Sequence, residues 1–291
     1  MHAPASLPFA PPAHQSVDTL LRPSDLEAYA REMPIAAMVL PRLQAMLFSA
    51  DTNIRDIVDL VMIDPGLAAR VIQAASSPVH NSSGRPVTNL AEALAHLGSD
   101  EVYRITAAFA LSKFLNRPLR CYGLGPTEYW RRSIACALAM VDLAPASGLD
   151  ERLAYTVGLL HALGMVFIDR HLRCVGAPDL RFDPLPATAL PKAEIQLTGM
   201  HHARAAAFVL RTWYFSEAIV EPIEHQFNPG AALRHRAMCS LLAEARTVAT
   251  ELVTKLPLPG QPLPMPLAKL LGDDWRVSIA EQILVIEGHQ F

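Results

Sequence analysis

Residues 158–164 read Gly-Leu-Leu-His-Ala-Leu-Gly (GLLHALG) and carry a single histidine, His161, at the end of an apolar segment. We predict a helix over residues 151–161 that presents this histidine. The next residue, Ala162, has a methyl group and therefore no lone pair. A centre with two metal ions needs oxygen ligands that hold the cations and polarise a water molecule. The sequence therefore argues against such a centre at this position.

Other short motifs lie on both sides of GLLHALG, in a fixed order along the chain. Before it come Leu40-Pro41, Ile63-Asp64-Pro65, Ser76-Ser77-Pro78, residues 93–98 (ALAHLG) and residues 130–133 (WRRS); after it come Glu194, residues 202–207 (HARAAA), Trp213 and residues 221–229 (EPIEHQFNP). Together they resemble the HDOD family, the HD-related output domain of bacterial signalling proteins, over roughly residues 34 to 250. The resemblance implies a multi-helix, HD-like fold descended from metal-dependent phosphohydrolases.

Apolar periodicity and helix-capping signals also indicate helices throughout. No run of four or more residues alternates well enough to form a strand, so we predict an all-α chain. The first predicted helix begins at a capping box formed by Ser24 and Glu27 and ends near Met33-Pro34. A helix over 54–62 is followed by one that begins at Asp64-Pro65, and the next begins at Asn89 and stops at Gly98. Further helices are predicted over 100–115, 127–144, 201–213, 217–225 and 231–253. A last capping box, Ser278 with Glu281, predicts a helix over 279–286. That helix could pack on the domain or dock onto another chain.

Proline and glycine clusters suggest four parts of the chain. We expect residues 1–23 to form a disordered leader, 24–125 an N-terminal helical subdomain, 126–255 an HD-like helical subdomain, and 256–291 a proline-rich spacer with the C-terminal helix.

The resemblance also assigns candidate site residues. The ligand positions of an HD phosphohydrolase fall on Arg132, His161 with Ala162, His202, His225 with Gln226, and Glu244. An arginine at a ligand position brings a positive charge to the place of a dication, and at an effective dielectric near 20 the repulsion is several kcal/mol. We therefore expect no catalytic residues, no metal and no cofactor, as in a pseudoenzyme.

Three alternatives stay open for the histidines. They could be interior residues hydrogen-bonded to carboxylates such as Glu194, Glu224 or Glu244. One zinc ion could be held by His161, His202 and His225, since three imidazoles leave an open position. A small anionic or nucleotide ligand could bind Arg132 and the histidines, because basic groups without metals suit a phosphate.

Composition and charge exclude several classes of partner. The net charge is -3, and the basic spots at Arg131-Arg132 and 234–236 (RHR) contain no interleaved aromatics, so DNA binding is not expected. Four cysteines lack CxxC spacing, which excludes a zinc knuckle and fits a reducing cytosol. No apolar run is expected to reach the roughly 18 residues that span a bilayer, and no secretion signal occurs. We predict a cytoplasmic protein that does not bind membranes.

The resemblance favours a non-catalytic regulatory module of bacterial signal transduction that binds a partner protein. Two alternatives remain: a metal-dependent phosphohydrolase acting on a nucleotide or cyclic dinucleotide, and a nucleotide or anion sensor that uses the degenerate pocket.

Overall fold

The computed structural model of this chain describes residues 18–32, 39, 41–43, 45–46, 54–77, 80–81, 87–112, 117–182, 189–256 and 274–288. It gives the bounds of twelve α-helices: α1 Pro23–Arg31, α2 Ile54–Met62, α3 Pro65–Ala75, α4 Leu90–Ser112, α5 Pro126–Leu143, α6 Glu151–Leu160, α7 Gly164–Cys174, α8 Leu190–Thr198, α9 His202–Thr212, α10 Glu217–Glu224, α11 Arg236–Lys255 and α12 Asp274–Gly288. Short 3₁₀ helices lie at Arg120–Tyr122, Pro145–Ser147 and Pro229–Ala231. Within these ranges the extended pairing is a single isolated bridge between Leu119 and Leu124. The predicted all-α class is confirmed.

Several predicted helix ends depend on side-chain caps that the structure shows. Asp64 caps α3 and accepts hydrogen bonds from the backbone N–H groups of Gly66 and Leu67 at 2.9 and 3.3 Å. Asn89 Oδ1 accepts from the N–H of Glu92 at 2.8 Å, ahead of α4. Gly98 has φ +75° and divides α4 into two helical segments, which confirms the predicted stop.

Two predicted capping boxes are wrong. α1 begins at Pro23, so Ser24 lies inside the helix, and the N–H of the N-cap residue Arg22 donates to Asp25 Oδ2 at 2.8 Å. Proline at the first helical position favours this earlier start. α12 begins at Asp274, so Ser278 lies one turn inside it. Ser-x-x-Glu spacing also occurs within helices, and periodicity alone did not distinguish the two cases.

The start of α11 also differs from the prediction, which placed it at residue 231. The carboxylate of Glu221 accepts backbone N–H groups from Leu233, Arg234 and His235 at 2.6 to 3.2 Å. Burial alone would raise the pKa of Glu221, but these three hydrogen bonds lower it below its ordinary value. Because the carboxylate satisfies these amides outside a helix, residues 232–235 stay non-helical.

Residues 18–22 pack on the domain and are not part of a disordered leader. Leu21 is buried, and its N–H donates to the carbonyl of Thr198 at 2.9 Å. Thr19 Oγ1 donates to the carbonyl of Leu197 at 2.6 Å. Residues 1–17 and most of the predicted spacer, 257–273, lie outside the described residues.

The centre of the molecule is α5, which contacts α6, α11 and α12. Residues 133–141 are buried without interruption, because neighbouring helices cover every side of α5. The C-terminal helix packs on the domain through Ile279, Ala280 and Ile283, all at most 1% exposed.

Two glycines explain why the GLLHALG segment fixes the packing. A Cβ at Gly158 would lie 2.7 Å from Ala137 Cα, so α6 packs backbone to backbone on α5. A Cβ at Gly164 would overlap the carbonyl oxygen of His202, so α7 approaches α9 equally closely. His161 and its neighbours are therefore held between two contacts that only glycine permits.

One stretch, Glu151–Cys174, has the length and apolar composition of a membrane span, which the sequence did not lead us to expect. It is divided between α6 and α7 by a turn at 161–163, and 72% of its apolar window is buried inside the protein. Its apolar residues thus pack on the neighbouring helices.

Candidate functional site

Four side chains from different helix ends meet in what we call the histidine–arginine cluster: His161, His202, Phe227 and Arg246. His161 ends α6, His202 begins α9, Phe227 follows α10, and Arg246 lies within α11. The His202 ring lies edge-on to Phe227 with centroids 5.2 Å apart, and the Arg246 guanidinium lies 4.5 Å from the centroid of Phe227. Both His202 and Arg246 act electrostatically on His161. The four groups therefore form one cluster, in which His161 and His202 are buried and Phe227 and Arg246 are half-buried.

His161 is a neutral imidazole. Its ring is 9% exposed, and Nδ1 lies 2.6 Å from the carbonyl oxygen of Gly158. Since a carbonyl only accepts, Nδ1–H donates and Nε2 carries the lone pair. Burial, and then the positive charge of Arg246, lower the pKa of His161 to about 3, although the Gly158 contact opposes this shift. At neutral pH His161 has no charge.

His202 is hydrogen-bonded to a buried carboxylate. Its Nδ1 lies 2.8 and 2.9 Å from the two oxygens of Glu194, and its backbone N–H donates to Oε2 at 2.9 Å. The hydroxyl of Tyr122 donates to Oε1 at 2.7 Å. Burial alone would raise the pKa of Glu194, but the His202 charge and these hydrogen bonds lower it. Glu194 therefore ties α8 to α9 and to the 3₁₀ helix at Arg120–Tyr122.

Arg246 brings the positive charge into the cluster. Burial lowers the pKa of its guanidinium, while Cys136 and Glu194 act in the opposite direction. Among the described residues, no acceptor is hydrogen-bonded to this guanidinium, which lies over the face of Phe227. A cation over an aromatic face is attracted by about 0.5–2 kcal/mol. Arg246 is thus held by ring contact and retains hydrogen-bond donors for another group.

The backbone of His161 is also held from α10. Gln226 is 1% exposed, and its Nε2 donates to the carbonyls of His161 and Ile223 at 2.9 and 3.0 Å. Its Oε1 is buried and has no hydrogen-bond donor in the described part of the chain. The side chain therefore fixes the turn after α6 and leaves one polar atom beside the cluster unsatisfied.

The structure brings two of the five predicted pocket residues together, His161 and His202. Arg132 is exposed on α5 and pairs with Glu128 at 2.7 Å, and its neighbour Arg131 is buried instead. Side chains of adjacent helical residues point about 100° apart. An error of one residue in assigning a ligand position therefore places the side chain on another face of the helix.

The other two predicted residues also lie outside the cluster. Glu244 is exposed on α11, two residues before Arg246. His225 is half-buried, and its imidazole forms no hydrogen bond with any residue that the structure describes. The carboxylate beside the histidines belongs to Glu194 and not to Glu244. The guanidinium belongs to Arg246 and not to Arg132, and the sequence did not indicate Arg246.

The residues that the structure describes do not fit a metal centre. No three His, Cys, Asp or Glu side chains in the described ranges are grouped so that they could hold an ion. The zinc alternative with His161, His202 and His225 therefore has no geometric support. Ala162 is buried and offers no ligand, and the carboxylate of Glu194 accepts hydrogen bonds from Tyr122 and from the backbone N–H of His202.

Comparison with known proteins shows the family. The HDOD domain family model matches residues 33–229. A candidate signal transduction protein from Marinobacter aquaeolei VT8 is 25% identical to this chain, with a TM-score of 0.61. The match covers 91% of this chain and 59% of the Marinobacter protein, so this chain spans less than two thirds of that protein's length. An HDOD domain protein of unknown function from Geobacter sulfurreducens is 21% identical (TM-score 0.60, covering 92% and 96%). A candidate phosphohydrolase from Shewanella amazonensis SB2B is 21% identical (TM-score 0.57, covering 91% and 95%), and shows only that the fold is shared.

No curated protein matches the chain. The family match over most of the sequence, with the all-helical fold, confirms the resemblance inferred from the motifs. This chain belongs to the HDOD domain family.

Proposed function

We propose that this protein is a non-catalytic regulatory module of signal transduction that acts by binding a partner protein in the cytoplasm. The observation that carries the proposal is the position of Arg246, whose charge acts on His161 where an HD phosphohydrolase would hold its metals.

Electrostatics supports this function over hydrolysis. A dication next to a guanidinium a few ångströms away is repelled by several kcal/mol even at an effective dielectric near 20. Oxygen ligands could offset that cost, but Ala162 supplies none and the carboxylate of Glu194 is already occupied by hydrogen bonds from His202 and Tyr122. Without paired cations, no group in the cluster can generate a metal-bound hydroxide.

The remaining features suit a scaffold. Hydrophobic residues make up 51% of the chain and charged residues 18%, and the helices bury one continuous core. The similarity to the Marinobacter protein, over 91% of this chain, supports a role in signal transduction.

Turnover of a phosphodiester tests the proposal. Bis(p-nitrophenyl) phosphate is incubated with the protein and Mn²⁺, Fe²⁺ or Zn²⁺, alongside His161→Ala and the matched surface variant His96→Ala. We expect the same background rate from all three proteins. Turnover that His161→Ala abolishes and His96→Ala retains would establish a metal-dependent phosphohydrolase and overturn the proposal.

A second candidate function, an anion or nucleotide sensor, is favoured by two observations. The Arg246 guanidinium has no hydrogen-bonded acceptor among the described residues, and Gln226 Oε1 is buried without a donor. A bound phosphate with an attached water or hydroxyl would satisfy both. Thermal-shift measurements with orthophosphate and nucleotides should then show stabilisation that Arg246→Met removes and Arg132→Met retains, because a ligand that binds only the folded state raises its Tm.

A further inference from the structure

A cavity lies away from the histidine–arginine cluster, where α3, α4, α5, α6 and α12 meet. Its volume is about 130 Å³. We call it the junction cavity and define it by Arg70 of α3, Arg104 and Phe109 of α4, Tyr155 of α6 and Gln282 of α12. These helices come from both predicted subdomains and from the C-terminal segment. An occupant would therefore contact helices of both predicted subdomains as well as α12.

One side of the junction cavity is positively charged. Among the described residues, Arg70 and Arg104 line it together with one carboxylate, Glu101. Glu101 lies 3.9 Å from Arg104 and 3.9 Å from His80, which is longer than a hydrogen bond. Within the described lining, two arginines thus lie beside one carboxylate, and Glu101 is hydrogen-bonded neither to Arg104 nor to His80.

Both guanidinium groups are placed by aromatic rings. Arg70 lies 5.9 Å from the centroid of Phe109, and Arg104 lies 5.8 Å from the centroid of Tyr155. The Tyr155 hydroxyl donates to the carbonyl of Arg104 at 3.3 Å, which fixes the ring against α4. Guanidinium groups oriented on rings lose less conformational entropy when they bind an anion.

Part of the remaining wall is apolar, while Gln73, Ser77, His80 and Gln282 contribute polar groups. Ile105, Ala108 and Leu138 line the apolar part with the two rings, and Ala108 and Leu138 are buried. An apolar cavity near 150 Å³ accommodates benzene. A volume of about 130 Å³ is close to that size and suits a single small ring.

We propose that the junction cavity binds a small organic anion: a ring-sized apolar group carrying one carboxylate. The guanidinium groups of Arg70 and Arg104 hold the carboxylate, and the apolar group packs on Phe109, Ile105 and Leu138. Because Gln282 lies at the same cavity, binding stabilises the packing of α12 on the domain. This inference does not depend on the proposed function, since it uses none of the cluster residues.

Benzoate is the probe that tests the proposal. Isothermal titration of the full chain should show saturable binding of one benzoate per chain. Benzyl alcohol, which lacks the charge, and acetate, which lacks the ring, should bind about tenfold more weakly or worse, because each loses one of the two contributions. Absence of saturable benzoate binding, or equal binding of acetate, would overturn the proposal.

Variants locate the site. Arg70→Gln and Arg104→Gln should each weaken benzoate binding about tenfold, whereas Arg132→Gln, an exposed arginine on α5, should leave it unchanged. Ala74→Leu fills the cavity from its half-buried rim and should abolish binding while the Tm without benzoate stays near the wild-type value. Equal affinity in all four variants would place benzoate elsewhere and refute the junction cavity as its site.

Discussion

The strongest prediction concerns the acid stability of the protein, because His161 is buried beside a positive charge. Burial and Arg246 lower the pKa of this imidazole from 6.5 to about 3. The unfolded chain takes up a proton at this position below about pH 6.5, whereas the folded protein does not until about pH 3. Stability from His161 is therefore complete above about pH 6.5 and is lost as the pH falls towards 3.

The size of the effect follows from linkage. Each pH unit between the two pKa values costs about 1.4 kcal/mol, so lowering the pH from 7 to 5 should reduce the free energy of unfolding by about 2 kcal/mol through His161 alone. The variant His161→Asn removes the titration but keeps an N–H donor for the carbonyl of Gly158. Urea unfolding followed by circular dichroism at both pH values measures the difference.

The wild-type protein should lose about 2 kcal/mol more than His161→Asn between pH 7 and pH 5. The control variant His96→Asn, at an exposed position of α4, should follow the wild type. If the wild type and His161→Asn lose equal stability, His161 is not held neutral and the described cluster is incorrect.

Three further predictions test the packing and charges around the cluster. Gly164→Ala should cost about 3 kcal/mol or more in the free energy of unfolding, since its Cβ overlaps the carbonyl of His202; a loss below about 1 kcal/mol in urea would contradict the close approach. Glu194→Gln should cost about 2 kcal/mol by the same measurement, because it weakens the buried hydrogen bonds from His202 and Tyr122 to the carboxylate, and wild-type stability would disprove these contacts. Arg246→Met should raise the pKa of His161, as measured by NMR titration of the ring, and an unchanged pKa would show that Arg246 does not act on it.

Much of the fold was predictable because helix signals are local. The caps at Asp64 and Asn89 and the stop at Gly98 each depend on one side chain or on one glycine with positive φ. The same local patterns failed at Ser24 and Ser278, where a Ser-x-x-Glu spacing occurs inside a helix that starts earlier.

The start of α11 could not be predicted, because its cause is distant in sequence. Glu221 accepts hydrogen bonds from backbone amides twelve to fourteen residues later and keeps them out of the helix. No short sequence motif links a glutamate to backbone amides so far along the chain, so local patterns could not indicate this contact.

The site was predictable only in part, because the sequence did not fix which face of a long helix each candidate residue occupies. The motif that contains His161, and the histidine that begins α9, sit at helix ends, where the order along the chain fixes their position. Arg132 and Glu244 were assigned within long helices, where a displacement of one or two residues changes the face. On α11, Glu244 and Arg246 both lie at the edges of the buried stripe, so periodicity did not favour either one.

Metal content tests the central claim most directly: that a guanidinium and a methyl group occupy the place of a cation pair. The protein is purified without chelator or affinity metal, and its iron, manganese, zinc and nickel are measured by mass spectrometry of the acid-digested sample. We predict well under one ion per chain. Two ions per chain that are lost in His161→Ala would contradict the claim.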